Sequence, residues 1–383
     1  MVYLAWFLFG CTLLTAARAI NGNRRIARLA DVPWDSSTND HEWPSVSVVV
    51  AARNEERDIE AALQSLLDLD YPNLELITVD DRSTDNTGAI LDSISQQCPA
   101  LRVIHVDELP DGWLGKNNAL QLGANAATGE FLIFTDADVI FDPTTLRRAI
   151  TYAVEKKLDH LTATPHTIMP TALLNSFATT FTICFLTYFP PWQVRNQNSR
   201  TAIGIGAFNL VRRESYRQIG GHESIRMRPD DDVKLGKILK QSGCRPDIVN
   251  GTTMIRVPWY HTVREAVVGL EKNTFSGVDY SIAMTITGAT WLLLTSVWPF
   301  AALLVTSGMT WWIYAALCLL LIAFAAWATQ VIGVPIQSCL FHPISVGLIV
   351  FIMWRTMILV FRNDGIYWRD THYSLAELKA NRV

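Results

Sequence analysis

The chain has 383 residues, half of them hydrophobic and 18% charged, with a formal net charge of −4 and a mean hydropathy of +0.18. No Lys/Arg stripe accompanies that charge, which argues against a nucleic-acid partner. The six cysteines (Cys11, Cys98, Cys184, Cys244, Cys318, Cys339) are scattered without a CxxC pair, so neither a zinc site nor a disulfide framework is indicated, and a reducing compartment suits them.

Residues 1–20 hold an apolar run from Val2 to Ala17, followed by Arg18, Arg24, Arg25 and Arg28. A signal peptide carries its basic residues ahead of the apolar stretch; here they follow it. The segment therefore reads as a retained anchor, with its N-terminus outside and the following chain in the cytoplasm. Residues 31–44, polar and bounded by prolines, read as a linker. An alternation follows: strands at 46–52, 74–79, 102–106 and 131–135, separated by helical spacing at 55–69, 87–96 and 116–127. Strands separated by helices of that length imply βαβ units, an α/β fold with a mostly parallel sheet, and a ligand at the carboxyl ends of the strands.

Residues 172–192 are apolar enough to resemble a span. A crossing there would place Asp136 and Asp232 on opposite sides of the membrane, so the segment reads as an interfacial helix at the mouth of the site, or as a buried core helix. After residue 281 come three long apolar stretches, 281–305, 311–331 and 344–360, and the first two are long enough to cross about 30 Å of hydrocarbon. Arg355 interrupts the third, near enough to an end to snorkel. Three crossings would leave the basic tail 362–383, with Arg362, Arg369, Lys379 and Arg382, outside; two crossings plus one re-entrant or interfacial segment would return it to the cytoplasm, the arrangement that the positive-inside preference favours.

Three acidic groups fall where strands end or helices begin. Asp80 and Asp81 follow the second strand in VDDRSTDNT, a turn whose short polar side chains suit either a base and ribose or helix capping. Asp136 and Asp138, in TDADV, close the most apolar strand; like charges one residue apart raise each other's pKa, and Mg²⁺ or Mn²⁺ with diphosphate oxygens as further ligands would relieve that, the alternative being a solvated turn. Asp230, Asp231 and Asp232 open a helix, where the macrodipole favours negative charge and where one carboxylate is able to take a proton from an attacking hydroxyl.

Taken together, these segments resemble glycosyltransferase family 2, inverting enzymes of GT-A fold, from Val46 to about Lys272. VSVVVAARNEE resembles the family's opening strand and nucleotide-binding turn, which implies Ala52, Arg53 and Glu55 at the nucleotide. VDDRSTDNT resembles its first acidic motif and implies Asp81 on the base. GWLGKNNAL is similar to a GK-x-x-AL stretch and implies Lys116 near the nucleotide. TDADV is similar to the DxD motif, implying Asp138 on the metal and Asp136 near the ribose or metal. DDVKLGKILKQSG resembles the ED-x-x-L segment and implies Asp232 as catalytic base, with Asp231 in the glutamate position.

The layout of an N-terminal anchor (1–20), a GT-A domain (45–275) and a C-terminal membrane region (281–361) is similar to that of members that glycosylate ceramide, hopanoid-associated lipids and carotenoids. GIYWRDTHY is similar to a Trp-Arg/Lys-x-x-x-Tyr signature near the end of several of these. Processive relatives carry QxxRW about forty residues after the base, whereas GLEKN stands at 269–273; Lys272 is the cation available there for the diphosphate, and no aromatic accompanies it. The resemblance implies transfer of one sugar from a UDP-sugar, or a GDP-sugar, to a lipid acceptor at the cytoplasmic face of the cell inner membrane by a multi-pass protein. Alternatives are a polyprenyl-phosphate glycosyltransferase, a polysaccharide synthase, a metal-dependent nucleotidyl- or phosphotransferase, and a non-enzymatic membrane assembly protein that senses a nucleotide.

Overall fold

The computed structural model describes residues 1–34, 43–369 and 371–381; residues 35–42 of the expected linker, and Asp370 and Arg382 of the expected tail, lie outside the described residues. The chain forms two units. One gathers Met1–Arg25, Thr167–Pro190 and Trp259–Ala380, and the other gathers Ile26–His166 and Pro191–Pro258 and takes in Asn381.

The second unit is built on an eight-stranded sheet whose order across is Ala27–Arg28, Pro246–Asn250, His160–Thr164, Asn209–Arg212, Phe131–Asp136, Val46–Ala52, Leu74–Asp81 and Leu101–Val106. Asn209–Arg212 runs antiparallel to both neighbours, and the other pairings are parallel. The strand Val46–Ala52 is β-branched and buried along nearly all its length, as expected of a strand covered on both faces. One covering layer is the helix Gly115–Ala126, packed through Ala119, Leu120 and Ala124 against Val49, Ile77, Val79 and Phe134. Its close approach depends on Gly123, where a Cβ would lie 2.3 Å from Val49 Cγ1. The opposite face is covered by Ile59–Leu67 and Thr145–Glu155, which bury Ile59, Leu63, Leu66, Leu146 and Ile150. Arg147 and Arg148 of the second of these lie over the ring of Trp34, and Arg147 also lies over that of Trp43, so both described ends of the linker region are held on the same helix.

Register fixes the site. Ala52 pairs with Asp80 and Ala51 with Asp136, so the carboxyl ends of three parallel strands reach one edge at the same level. The chain moves outward from Val46–Ala52 to Leu101–Val106, then crosses back to Phe131–Asp136 on the other side. That reversal is a topological switch point, where α/β sheets open a crevice for ligands.

The first unit is helical. Among the described residues five segments, Val2–Asn23, Ala172–Gln193, Ile282–Val305, Gly308–Ile332 and Ile336–Arg362, are long and apolar enough to cross a membrane, and all but the last three residues of the second lie in this unit. Val2–Asn23 packs through Ala5 and Leu8 on Tyr314 and Leu317 of Gly308–Ile332. Ala172–Tyr188, expected as an interfacial or core helix, packs through Leu174, Phe177 and Ala178 beside Ile332 and Ile352, and Thr180 Oγ1 lies 3.0 Å from His342 Nδ1. It groups with the apolar helices, as does Val263–Thr274, although the sequence reading includes both in 45–275. Arg355, within the third apolar segment, donates from Nε to Glu271 Oε1 at 2.6 Å.

Candidate active site

The site is assembled at the edge where the central strands end. The strand Phe131–Asp136 delivers Asp136, and the turn after it carries Asp138. Gly115–Ala126 starts beside them and supplies Lys116, whose Nζ lies 2.8 Å from Asp136 Oδ1 and 3.4 Å from Asp231 Oδ2. Burial alone would lower the Lys116 pKa, but Asp136, Asp231 and Asp232 outweigh it and hold it above the ordinary lysine value, so the ammonium stays charged. Lys116 thus ties Asp136 to the acidic start of the helix Asp231–Gln241.

Asp232 is held by backbone: its Oδ2 accepts from Gly206 N–H at 2.8 Å and its Oδ1 from Val233 N–H at 2.8 Å. Burial, reinforced by Asp231, pushes its pKa up to about 7. Burial likewise raises Asp138 to about 7, with Asp136, Glu55 and Asp58 adding to the effect. Asp230 is removed from the chemistry by Arg228, whose Nε and Nη2 donate to its two oxygens at 3.0 and 3.1 Å. The buried amide of Asn117 donates to the carbonyls of Ile225, Arg226 and Arg228, joining the loop before Asp230 to the helix that bears Lys116.

At the neighbouring strand ends, Arg82 Nε and Nη2 donate to the Asp81 oxygens at 2.8 and 3.2 Å, and Arg53 Nη1 stands 3.7 Å from Oδ2. The loops after the two strands clasp each other: Asn54 Oδ1 accepts from Thr84 N–H, Asn54 N–H donates to Ser83 Oγ, and Glu55 N–H donates to Thr87 Oγ1. Asp80 lies behind, 3.1 Å from His105 Nδ1, whose Nε2 contacts Asp92. His222, buried and bonded to the Tyr216 hydroxyl at 2.7 Å, is kept to about pKa 3 by burial and the charge of Lys116, and so is a neutral ring.

The structure therefore brings Ala52, Arg53, Glu55, Asp81, Lys116, Asp136, Asp138, Asp231 and Asp232 to one edge of one unit. Lys272 belongs to the other unit, where its Nζ lies 4.4 Å from the centroid of the Trp368 ring. Reading the sequence alone did not single out Asn117, Arg82, His105 or the glycines of the 201–207 loop. The glycines had a signal in GIG, since a Cβ at Gly204 would lie 1.8 Å from the Asp232 carbonyl oxygen, and one at Gly206 would lie 2.6 Å from Asp136 Oδ2.

The donor chemistry at Asp136 and Asp138 fits a hard divalent cation: carboxylate oxygens, and at Asp138 a negative surrounding that favours a positive neighbour. Among the described residues no group of three or more His, Cys, Asp or Glu is arranged to hold a metal, so the two carboxylates would need further ligands from a substrate or water.

A mostly parallel sheet with acids and one buried lysine gathered at its switch-point edge places these side chains where α/β sheets bind ligands. Residues 47–220 match the family model of glycosyl transferase family 2. Over 152 residues the chain is 37% identical to a beta-monoglucosyldiacylglycerol synthase of Synechocystis sp., covering 39% of this chain and 31% of that protein. Over 231 residues it is 24% identical to a 4,4'-diaponeurosporenoate glycosyltransferase of Staphylococcus haemolyticus, covering 59% and 60%. The matches thus span 31% and 60% of these relatives' own lengths. The fold is also that of the mannosyltransferase PcManGT from Pyrobaculum calidifontis, solved with GDP-Man and Mn²⁺, at a TM-score of 0.56 and 18% identity over 90% of this chain and 97% of that one.

Proposed function

We propose that the protein transfers one sugar from a nucleotide-sugar, UDP-linked or GDP-linked, to a lipid acceptor in the membrane, with inversion at the anomeric carbon. The observation that carries this reading is the Asp136–Lys116–Asp231 bridge with the backbone-held Asp232 beside it. Arg53, Glu55 and Asp81 hold the nucleoside end, and Lys116 offsets the negative charge of the diphosphate. Asp138 and Asp136 would hold Mg²⁺ or Mn²⁺, which would stabilise charge on the leaving diphosphate. Asp232 takes the proton of the acceptor hydroxyl as its oxygen forms a bond to the anomeric carbon and the bond from that carbon to the diphosphate oxygen breaks. Asp231, held by Lys116, keeps its charge beside Asp232 and favours proton uptake there.

Support for a lipid acceptor comes from the five long apolar helices and from relatives named for lipid and carotenoid acceptors. The cytoplasmic face is supported by the arginines that follow the first apolar helix. The test is nucleoside diphosphate release by detergent-purified protein given a panel of UDP- and GDP-sugars, bacterial lipid extract and Mn²⁺ or Mg²⁺. Release that requires lipid and is abolished by EDTA is expected. No release from any donor by folded protein, with lipid present, would sink the reading.

A further inference from the structure

Residues 195–206 run back along the stretch of chain that carries Asp232, and partner numbers fall from 247 to 232 as that strap advances. Arg195 Nε donates to Asp247 Oδ1 at 2.6 Å, and Gln197 Nε2 donates to the Cys244 carbonyl at 2.8 Å. Lys240 Nζ donates to the Thr201 carbonyl at 2.6 Å. Ile203 then crosses the helix Asp231–Gln241 so closely that a Cβ on Gly236 would lie 2.3 Å from its carbonyl oxygen. The strap ends at Gly206, whose N–H donates to Asp232 Oδ2 at 2.8 Å. Residues 201–205 form no helix or strand of their own, so these bonds, and not a ladder, set their path. Lys240 is the unusual member. It is buried, and no carboxylate among the described residues offsets the burial that lowers its pKa. Standing in the last turn of its helix, it has that helix's own free carbonyls within reach, yet it gives its ammonium to the strap.

We propose that Lys240 is a positioning residue for Asp232: it pins Thr201 to the helix, and the strap so fixed presents the Gly206 N–H that orients the Asp232 carboxylate. This rests on Asp232 as the base of the transfer proposed above and adds to it a residue that touches no substrate. Lys240 lies about two turns beyond Asp232 on the same helix, so it acts on the base through the strap. With Thr201 released, Gly206 is free to drift, and Asp232 loses one of the two backbone donors, Gly206 and Val233, that hold its oxygens. A hydrogen bond to the ionised form favours that form, so losing it makes the base harder to ionise as well as less well aimed.

Lys240→Met, which keeps an unbranched apolar stem and removes the donor, tests this. Hydrogen–deuterium exchange of the full-length protein in detergent is expected to run at least about tenfold faster over 201–208 in Lys240→Met than in the wild type, with 46–52 unchanged. In nucleoside diphosphate release from the UDP- or GDP-sugar that the wild type uses, kcat should fall about tenfold, with KM for that donor within about twofold. The acid limb of the pH–rate profile should move to higher pH, which a mere loss of folded protein does not produce. Lys240→Arg, still able to donate to the Thr201 carbonyl, should restore the slow exchange, kcat and the pH profile together. Unaltered exchange over 201–208 in Lys240→Met would overturn the strap. Faster exchange with wild-type kcat and pH profile would overturn the positioning role while leaving sugar transfer intact. No release from any donor by folded wild type, with lipid present, would instead remove Asp232 as a base and this role along with it.

Discussion

At the residue scale, the two raised carboxyls lead to opposite expectations for activity and stability. Asp232 must be ionised to accept a proton, and burial places its pKa at about 7, close to the pH at which a base works best. With Asp232 as base, kcat/KM is expected to fall about tenfold for each pH unit below that value, measured as a pH–rate profile. Asp232→Asn should lower kcat by roughly 10²–10⁴-fold with donor binding retained; a variant as fast as the wild type would remove Asp232 from the mechanism. Asp138 concerns stability. Its folded-state pKa of about 7 lies above the ordinary aspartate value of 3.8, so the native protein keeps a proton that the unfolded chain has released. Without metal, stability therefore falls as pH rises from about 4 to about 7. Asp138→Asn is expected to raise the apparent Tm at pH 8 in EDTA, and to lose the further rise that Mn²⁺ with nucleotide gives the wild type.

At the scale of elements, what was legible in the sequence is what repeats. Val46–Ala52, Leu74–Asp81 and Phe131–Asp136 announce themselves as β-branched or apolar runs, and each acidic group stands at the end of a strand or the start of a helix because those termini admit it. Asn209–Arg212 was not legible: four residues reading NLVR have no periodicity, and their place in the sheet is set by pairing on both sides. The 201–207 loop carried a signal only in its GIG, and that signal is faint because its contribution is an absence of side chain. Gly204→Ala tests that contribution. A methyl there meets the Asp232 carbonyl oxygen at 1.8 Å, and since backbone cannot step aside as a side chain can, Asp232 must move. A displacement of about 1 Å at a reacting group costs on the order of 10²-fold in rate. Transfer is expected to drop by that much with nucleotide affinity less affected, and normal kcat in a folded Gly204→Ala protein would show that the loop does not set the base.

Across the whole molecule, sheet pairing constrains how the chain meets a membrane. Asn209–Arg212 pairs with Phe131–Asp136 and His160–Thr164, and we propose that the helix Ala172–Tyr188, which lies in sequence between these strands of one sheet, enters and leaves the membrane on one side despite its apolar length. Asn381 belongs to the α/β unit: its Oδ1 accepts from Met227 N–H and its Nδ2 donates to the Ser224 carbonyl. We therefore propose an even number of crossings between Trp259 and Ala380, two of the three candidates, with His342–Arg362 the one that returns, because its Arg355 is engaged by Glu271. A membrane-impermeant thiol reagent applied to sealed vesicles of known orientation should label a cysteine added after Val383 and one at Glu108→Cys from the same side. Labelling from opposite sides would refute the even count.

The antiparallel position of Asn209–Arg212 also bears on how the protein is made. Its two neighbours in the sheet are synthesised well before it, with an apolar helix emitted in between, so each keeps an unpaired edge throughout that interval. Open edges of that kind template aggregation. The sheet cannot close until the ribosome has passed both the apolar helix and the glycine loop, so burial of Ala172–Tyr188 among its apolar neighbours and closure of the sheet must both wait on residues made later.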